Sequence, residues 1–312
     1  MAAATRSLCI ILFDHREIMK VFFFLFLISL FSCNFQSKKV ELNLLKEIEP
    51  INYSEINDQI QNILHKNNGK FPILKFDKTK GNKHLIYFGE QHGNDPNDSR
   101  FDTIQKYFSL YNPTVLLNEG GQVTDTIHFK SREDAIQKKG TIGFLKFLAD
   151  NAKLKLQNAD CPDSLEISSL LRKYDRNKIL YFLVLQRFIP QFISGYNGAK
   201  DLKAEYGKFT EKYLTTRCKL KLTANEKQWS YFEKLFVENN DNKKIDLKSF
   251  DLLQTEFDEG ELGKISRSSL QIRDSVIIEN IYRTLQNHDK VFIVFGAAHL
   301  LAEKPTLEKL FE

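Results

Sequence analysis

Two stretches constrain this chain more than any other: Leu85-Ile86-Tyr87-Phe88 and Val291-Phe292-Ile293-Val294-Phe295. Both are short continuous apolar runs rich in aromatic and β-branched residues, the pattern of a strand buried in a sheet. Each stops at a glycine, Gly89 or Gly296, and a histidine follows three positions on, in FGEQH (88 to 92) and FGAAH (295 to 299). A buried strand that ends by presenting polar groups after a glycine is either turning or delivering them to a site.

The other elements fit around these runs. Ser54 reads as the cap of a short amphipathic helix carrying Ile56, Ile60, Ile63 and Leu64, closed near Gly69. A helix from Asp98 to Tyr111 carries Phe101, Ile104 and Phe108 on one side and ends before Pro113. Thr114 to Leu117 is a strand that delivers Asn118 and Glu119. Ser131 to Ala149 is a helix broken by Gly140 and Gly143, and Lys153 to Gln157 is a strand that delivers Asp160, Cys161 and Pro162. Strand, helix, strand, helix, strand is the order of an α/β fold with a mainly parallel central sheet flanked by helices.

From 163 to 263 the chain reads as a long helical insertion, with Thr223 and Glu226 in capping-box spacing and a loop at 238 to 244. A helix from Ser269 to Leu285 leads into the Val291 run, and a short helix with Leu307 and Leu310 follows it. Residues 54–312 are expected to form a single α/β domain.

The amino-terminal segment has a different character. From Met19 the chain reads MKVFFFLFLISLFSC, an apolar run from Val21 to Phe31 that is too short to cross a bilayer as a helix. It has the form of a secretory signal, residues 1–32, with translation starting at Met19 because Asp14 and Glu17 are foreign to a basic leader. Leu30-Phe31-Ser32-Cys33 resembles the lipobox of bacterial lipoproteins. That resemblance implies lipidation at Cys33, a tether over 33–53 and a location in the bacterial cell envelope, on the periplasmic or surface side, anchored to membrane. Cys161 and Cys218 are the cysteines left in the folded part, and whether they pair is open.

The formal net charge of +5 is dispersed, without the basic stripe of a nucleic-acid groove. Neither a GxSxG elbow nor a phosphate-binding glycine loop occurs, which argues against a serine hydrolase or a nucleotide enzyme. Three Gly-x-x-His sequences occur, more than 14 glycines and 7 histidines in 312 residues lead one to expect. One of them, GNKH (81 to 84), precedes its strand. The other two lie past the carboxyl ends of strands, where ligands sit in open α/β sheets. If neighbouring strands run parallel, Glu90, His92, Glu119, Asp160 and His299 meet on one rim. Two imidazoles and a carboxylate are the ligand set of an open catalytic metal site. His65, His84, His128 and His288 lie elsewhere and read as structural.

GEQH, Glu119-Gly120-Gly121, Arg273-Asp274 on a late helix and the final GAAHL together resemble the Tiki superfamily, which embraces TraB/PrgY-like proteins, Tiki metalloproteases, erythromycin esterases and haem-binding ChaN lipoproteins. The resemblance spans most of residues 83–303. It implies an erythromycin esterase/ChaN-like fold, with His92, Glu119 and His299 as the metal or catalytic set and Glu90 and Arg273 as supporting groups. A second histidine cluster like that of the esterases is missing after GAAH, which argues against macrolide hydrolysis.

The resulting expectation is a hydrolase that cleaves an ester or amide bond of a small-molecule or peptide substrate. A divalent metal (zinc, manganese, cobalt or iron) activates water, Glu90 is the general base and Arg273 steadies the oxyanion, while Asp160 and Asp274 support them. Without a metal, His92 would activate water itself. The rival expectation is a non-enzymatic haem- or iron-binding lipoprotein like ChaN. Substrate identity and oligomeric state are open.

Overall fold

Odd and even residues of the two apolar runs face opposite layers. A computed structural model describes residues 51–120, 126–194, 201–241, 243, 245–247 and 260–312. These residues fall within one compact unit, 49–312. The expected signal segment, the start at Met19, Cys33 and the tether up to residue 50 lie outside the described residues. None of the described helices is long and apolar enough to cross a membrane.

The elements in order are α1 (Tyr53–Lys66), β1 (Leu74–Lys80), β2 (Lys83–Glu90), α2 (Ser99–Tyr111), β3 (Val115–Asn118), α3 (Arg132–Ala152) and β4 (Leu156–Asn158). The helical block follows with α4 (Asp163–Leu170), α5 (Arg176–Leu183), a π-helical segment Val184–Phe188, α6 (Ile189–Ser194), α7 (Leu202–Phe209), a second π-helical segment Thr210–Arg217 and α8 (Trp229–Asn239). The chain returns to the sheet through α9 (Glu261–Asn287), β5 (Lys290–Gly296) and α10 (Ala297–Phe311).

The sheet has the order β1-β2-β5-β3-β4. The pairs β2·β5, β5·β3 and β3·β4 are parallel, and only β1 runs antiparallel to β2. Leu85, Tyr87, Val115, Leu117, Val291, Ile293 and Phe295 pack beneath Ile277, Ile281 and Leu285 of α9 and Leu300 and Leu307 of α10. Ile86, Phe88, Leu116, Phe292 and Val294 pack against Phe101, Ile104 and Phe108 of α2 and Ile136, Phe144 and Leu148 of α3. Burial of each such side chain contributes about 1.5–3 kcal/mol, so two covered faces account for the uninterrupted apolar runs.

β1 is not among the expected strands. Lys75, Lys78 and Lys80 make its sequence read as solvated, and Phe76 is its one buried side chain. Charged residues of this kind are what keeps an edge strand from pairing with another molecule.

Other boundaries move for identifiable reasons. Asn52, rather than Ser54, caps α1, its side chain accepting from the Glu55 N–H at 3.3 Å. Thr223 and Glu226 make both reciprocal capping-box bonds, at 2.7 and 3.2 Å, but they close a turn, and α8 begins only at Trp229. α9 starts at Glu261, well before Ser269. β4 is shorter than expected, because Lys153 ends α3 in the left-handed conformation (φ 54°). α10 starts directly at the end of β5 and takes His299 into its first turn instead of leaving it in a loop. Cys161 and Cys218 are both buried free thiols.

Two close approaches set the geometry of the rim. A Cβ at Gly89 would lie 2.9 Å from Leu300 Cβ and 3.0 Å from Ala297 Cα, so the missing side chain is what lets α10 dock on the end of β2. In α3, Gly140 breaks the helix with φ 56° and ψ −142° and sits against the Gly93 carbonyl of the loop after β2. The break turns Thr141 toward the sheet edge.

Candidate functional site

All the expected rim residues stand at the carboxyl end of the parallel strands or on the helix that faces it. Glu90 is the last residue of β2, with His92 two positions beyond; Glu119 follows β3, Asp160 follows β4, and His299 opens α10. β5 lies between β2 and β3, so a contact between His92 and Glu119 must pass over the end of β5. Gly296 occupies that crossing: a Cβ there would stand 3.2 Å from Glu119 Oε2, 3.5 Å from His92 Nε2 and 3.7 Å from His299 Cδ2.

Glu119 is the hub. Its Oε2 accepts from the Gly296 N–H at 2.9 Å and faces His92 Nε2 at 3.0 Å. Its Oε1 has longer contacts, 3.3 Å to Arg273 Nη2 and 3.4 Å to His299 Nε2. The two histidines from the two ends of the fold therefore address one carboxylate.

Each imidazole is oriented from behind. His92 Nδ1–H donates to Glu90 Oε1 at 2.7 Å, and His299 Nδ1–H donates to Asp274 Oδ1. Both orienting carboxylates are buried, at 2% exposure for Glu90 and 1% for Asp274. Thr141 Oγ1–H donates to Glu90 Oε1 at 2.8 Å and Arg100 Nη1–H to Glu90 Oε2 at 3.1 Å, which occupies both oxygens. The Tyr53 hydroxyl donates to Asp274 Oδ2.

With Nδ1–H committed, the neutral form of either ring would turn a lone pair toward the Glu119 anion. Such an arrangement is stable only with a cation at Nε2, either a proton or a metal ion. Hydrogen bonding to Glu119 and Glu90 pushes the His92 pKa up to about 10. For His299, burial favours the neutral ring, but the Asp274 and Glu119 carboxylates outweigh it and raise its pKa well above the ordinary value. Burial would raise Glu119, yet its bonds to His299 and His92 hold it well below the usual carboxylate range.

Arg273 is a site residue rather than part of a helix-surface ion pair. Its side chain is 12% exposed, and its Nη2 reaches Asp160 Oδ2 at 2.9 Å as well as Glu119. His92, Glu119, Asp160 and Arg273 line a cleft of about 680 Å³, whose other wall residues come mainly from the helical block.

Four participants have no motif that marks them in the sequence: Arg100, Thr141, Tyr53 and Glu303. Glu303 lies one helical turn after His299 and is fully buried, with no hydrogen-bond partner on either carboxylate oxygen. Burial and the neighbouring Asp274 raise its pKa well above the ordinary value. Among the described residues, the group whose ligand atoms gather within 4.8 Å of one another and could hold a metal ion is the buried Asp274, His299 and Glu303, which shares only His299 with the expected set of His92, Glu119 and His299. None of these three residues lines the cleft, which His92 and Glu119 do. A cation among these three would also compete for the Nδ1 that holds His299 in place. The expected structural histidines stay out of the site: His84 pairs with Asp77 at 2.8 Å and His128 with Asp150 at 3.1 Å.

Thr141 is a positioning residue, because it acts through Glu90 on His92. Thr141→Val keeps the shape and removes one donor from a buried carboxylate, a change that costs about 1–3 kcal/mol. Loss of such outer support typically lowers activity or metal affinity about 10–100-fold. For the expected metal-dependent hydrolase, the signature would be a drop in kcat and in affinity for metal with little change in KM; unaltered values of both would make Thr141 a purely structural residue.

No family model, curated protein or solved structure matches the chain.

Proposed function

We propose that the protein is a metal-dependent hydrolase of the Tiki superfamily type that cleaves an ester or amide bond, working at the bacterial envelope through a lipid on Cys33. The observation that carries this reading is the doubled carboxylate–histidine arrangement. Glu90 and Asp274 fix the two imidazoles at Nδ1, and both Nε2 atoms turn toward Glu119, 3.0 and 3.4 Å away, at the floor of an open cleft. This is the form that second-shell carboxylates give to histidine metal ligands, and the missing side chain at Gly296 lets the three groups approach one another.

His92, Glu119 and His299 would hold the ion. A divalent cation there supplies Lewis acidity and brings deprotonation of water toward ~7. Arg273, clamped by Asp160 and lining the cleft, places a guanidinium where an oxyanion develops, a contribution of about 3 kcal/mol per donor. Glu119 Oε1, with its longer contacts to Arg273 and His299, has the room to orient a water in the cleft. Glu90, buried with both oxygens occupied, orients His92 and is not positioned to act as the general base. Axial ligation of haem would need an apolar slot beside an imidazole, whereas the cleft at His92 is lined by Glu119, Asp160 and Arg273.

Elemental analysis and a chelation assay test the proposal together. Natively purified protein is expected to carry a divalent first-row metal and to hydrolyse members of a panel of 4-nitrophenyl esters, anilides and peptides. Chelation should abolish turnover, and zinc, manganese, cobalt or iron should restore it. Turnover that survives removal of all metal would leave a metal-free hydrolase. A Soret band with no turnover would favour the haem-binding reading.

A further inference from the structure

The rim bears on bond cleavage but not on which molecules enter. Entry is governed by the wall that the helical block builds, and two of its cations have bonding capacity to spare. Lys208 is paired with Glu205 at 2.8 Å, and Arg217 with Asp163 at 2.5 Å. Arg273 is held by Asp160 and Glu119 at the rim, where it serves the reacting centre. Arg187 is different: among the described residues its ion pair is a long 3.5 Å contact with Glu166, and its buried Nε–H has no acceptor there. Lys212 lines the same cleft and makes no ion pair among the described residues.

Both residues lie in π-helical segments, Arg187 in Val184–Phe188 and Lys212 in Thr210–Arg217. Such segments are rare, poorly bonded, and concentrated where function retains them. Here each of the two contributes wall residues to one cleft, and Phe188 and Tyr213 from the same segments, with Phe209 between them in sequence, add an aromatic surface. The rim carboxylates do not need Arg187 or Lys212 as counter-charges, since His92, His299 and Arg273 already face them.

We propose that the cleft selects substrates carrying an oxyanion, a carboxylate or a phosphate, beside an apolar or aromatic body, with Arg187 as its principal partner and Lys212 as a second. This rests on the hydrolase reading of the rim and adds the substrate class to it. The two π-helical segments bring the guanidinium and ammonium groups to the same cleft wall as the rings, so the body of the substrate lies on Phe188, Phe209 and Tyr213 while its anion is held by Arg187.

Binding separates this inference from the chemistry. Calorimetric titration of the full chain with phenylacetate, phenylphosphonate and the neutral phenylacetamide is expected to give an affinity about tenfold higher for at least one anion than for the amide, as one charge-assisted bond would supply. Preference for phenylacetate or for phenylphosphonate tells a carboxylate from a phosphate substrate. Arg187→Gln should remove that preference, Arg187→Lys should recover part of it, and the exposed Lys212→Gln, which does not disturb buried Glu166, should reduce it several-fold. Equal affinities for anions and amide overturn the proposal. So does anion binding that survives both Arg187→Gln and Lys212→Gln, because the anion would then sit elsewhere, on rim cations such as Arg273. Anion preference through Arg187 without hydrolysis of any ester or amide would remove the hydrolase reading while supporting the selection of anions.

Discussion

Glu119→Gln is expected to lower hydrolysis about a thousandfold, at the upper end of what removal of one preorganised electrostatic group costs. The substitution keeps the volume of the side chain and removes its charge. In the native site the carboxylate accepts from the Gly296 N–H and faces His92, His299 and Arg273. An amide offers only one acceptor oxygen, and its NH₂ must then point at another donor. If the amide oxygen keeps the bond to Gly296, the nitrogen is driven against Arg273 and His299. Metal content should fall with activity, and the thermal transition shows whether the fold has survived. Activity within tenfold of the native protein would mean that Glu119 is not the centre of the site.

The second large effect is on stability. A Cβ at Gly143 would lie 2.3 Å from the Ala135 carbonyl oxygen and 2.7 Å from Lys139 Cβ. The first contact is with backbone, so no rotamer relieves it, and Gly143→Ala must open the break at Gly140. Overpacking of this kind costs about 1–3 kcal/mol and sometimes more, and we expect about 3 kcal/mol in denaturant unfolding. Because the break carries Thr141 to Glu90, activity should fall as well. Gly207 in α7 has nothing within 4 Å of its would-be Cβ, so Gly207→Ala is the matched control. It should be neutral or stabilise by up to about 1 kcal/mol, since alanine is the better helix former. A Gly143→Ala protein as stable as the control would show that the α3 break is not required.

Most residues that were legible beforehand directly follow a strand, whereas Arg273 and Asp274, inside α9, were reached only through the family resemblance. His92 and Glu119 come just after runs that only a covered strand explains, and both meet at Gly296. Arg100, Thr141, Tyr53 and Glu303 had no such address. They lie on helices, where a polar residue reads as solvent-facing until the neighbours are known. Thr141 had a faint signal, since it follows the glycine that breaks its helix. Glu303 had another, four positions after His299 within the apolar sequence LLAE, which puts both on one helical face. β1 was hidden because a single buried phenylalanine among lysines does not make an alternating pattern. The Thr223–Glu226 pair shows the converse, a local motif that forms its bonds without starting a long helix.

The place of β5 in the sheet bears on how the molecule is put together. It comes later in the chain than the other four strands and yet lies between β2 and β3, which have no ladder with each other. During synthesis the first four strands can make only two separate ribbons, β1 with β2 and β3 with β4, each with an apolar edge awaiting the same partner. Joining depends on contacts between residues roughly two hundred positions apart, a connectivity associated with slow folding and with exposure of partly built sheets. The two ribbons must therefore be shielded from neighbouring chains until the late strand is inserted, and the same insertion delivers His299 to Glu119.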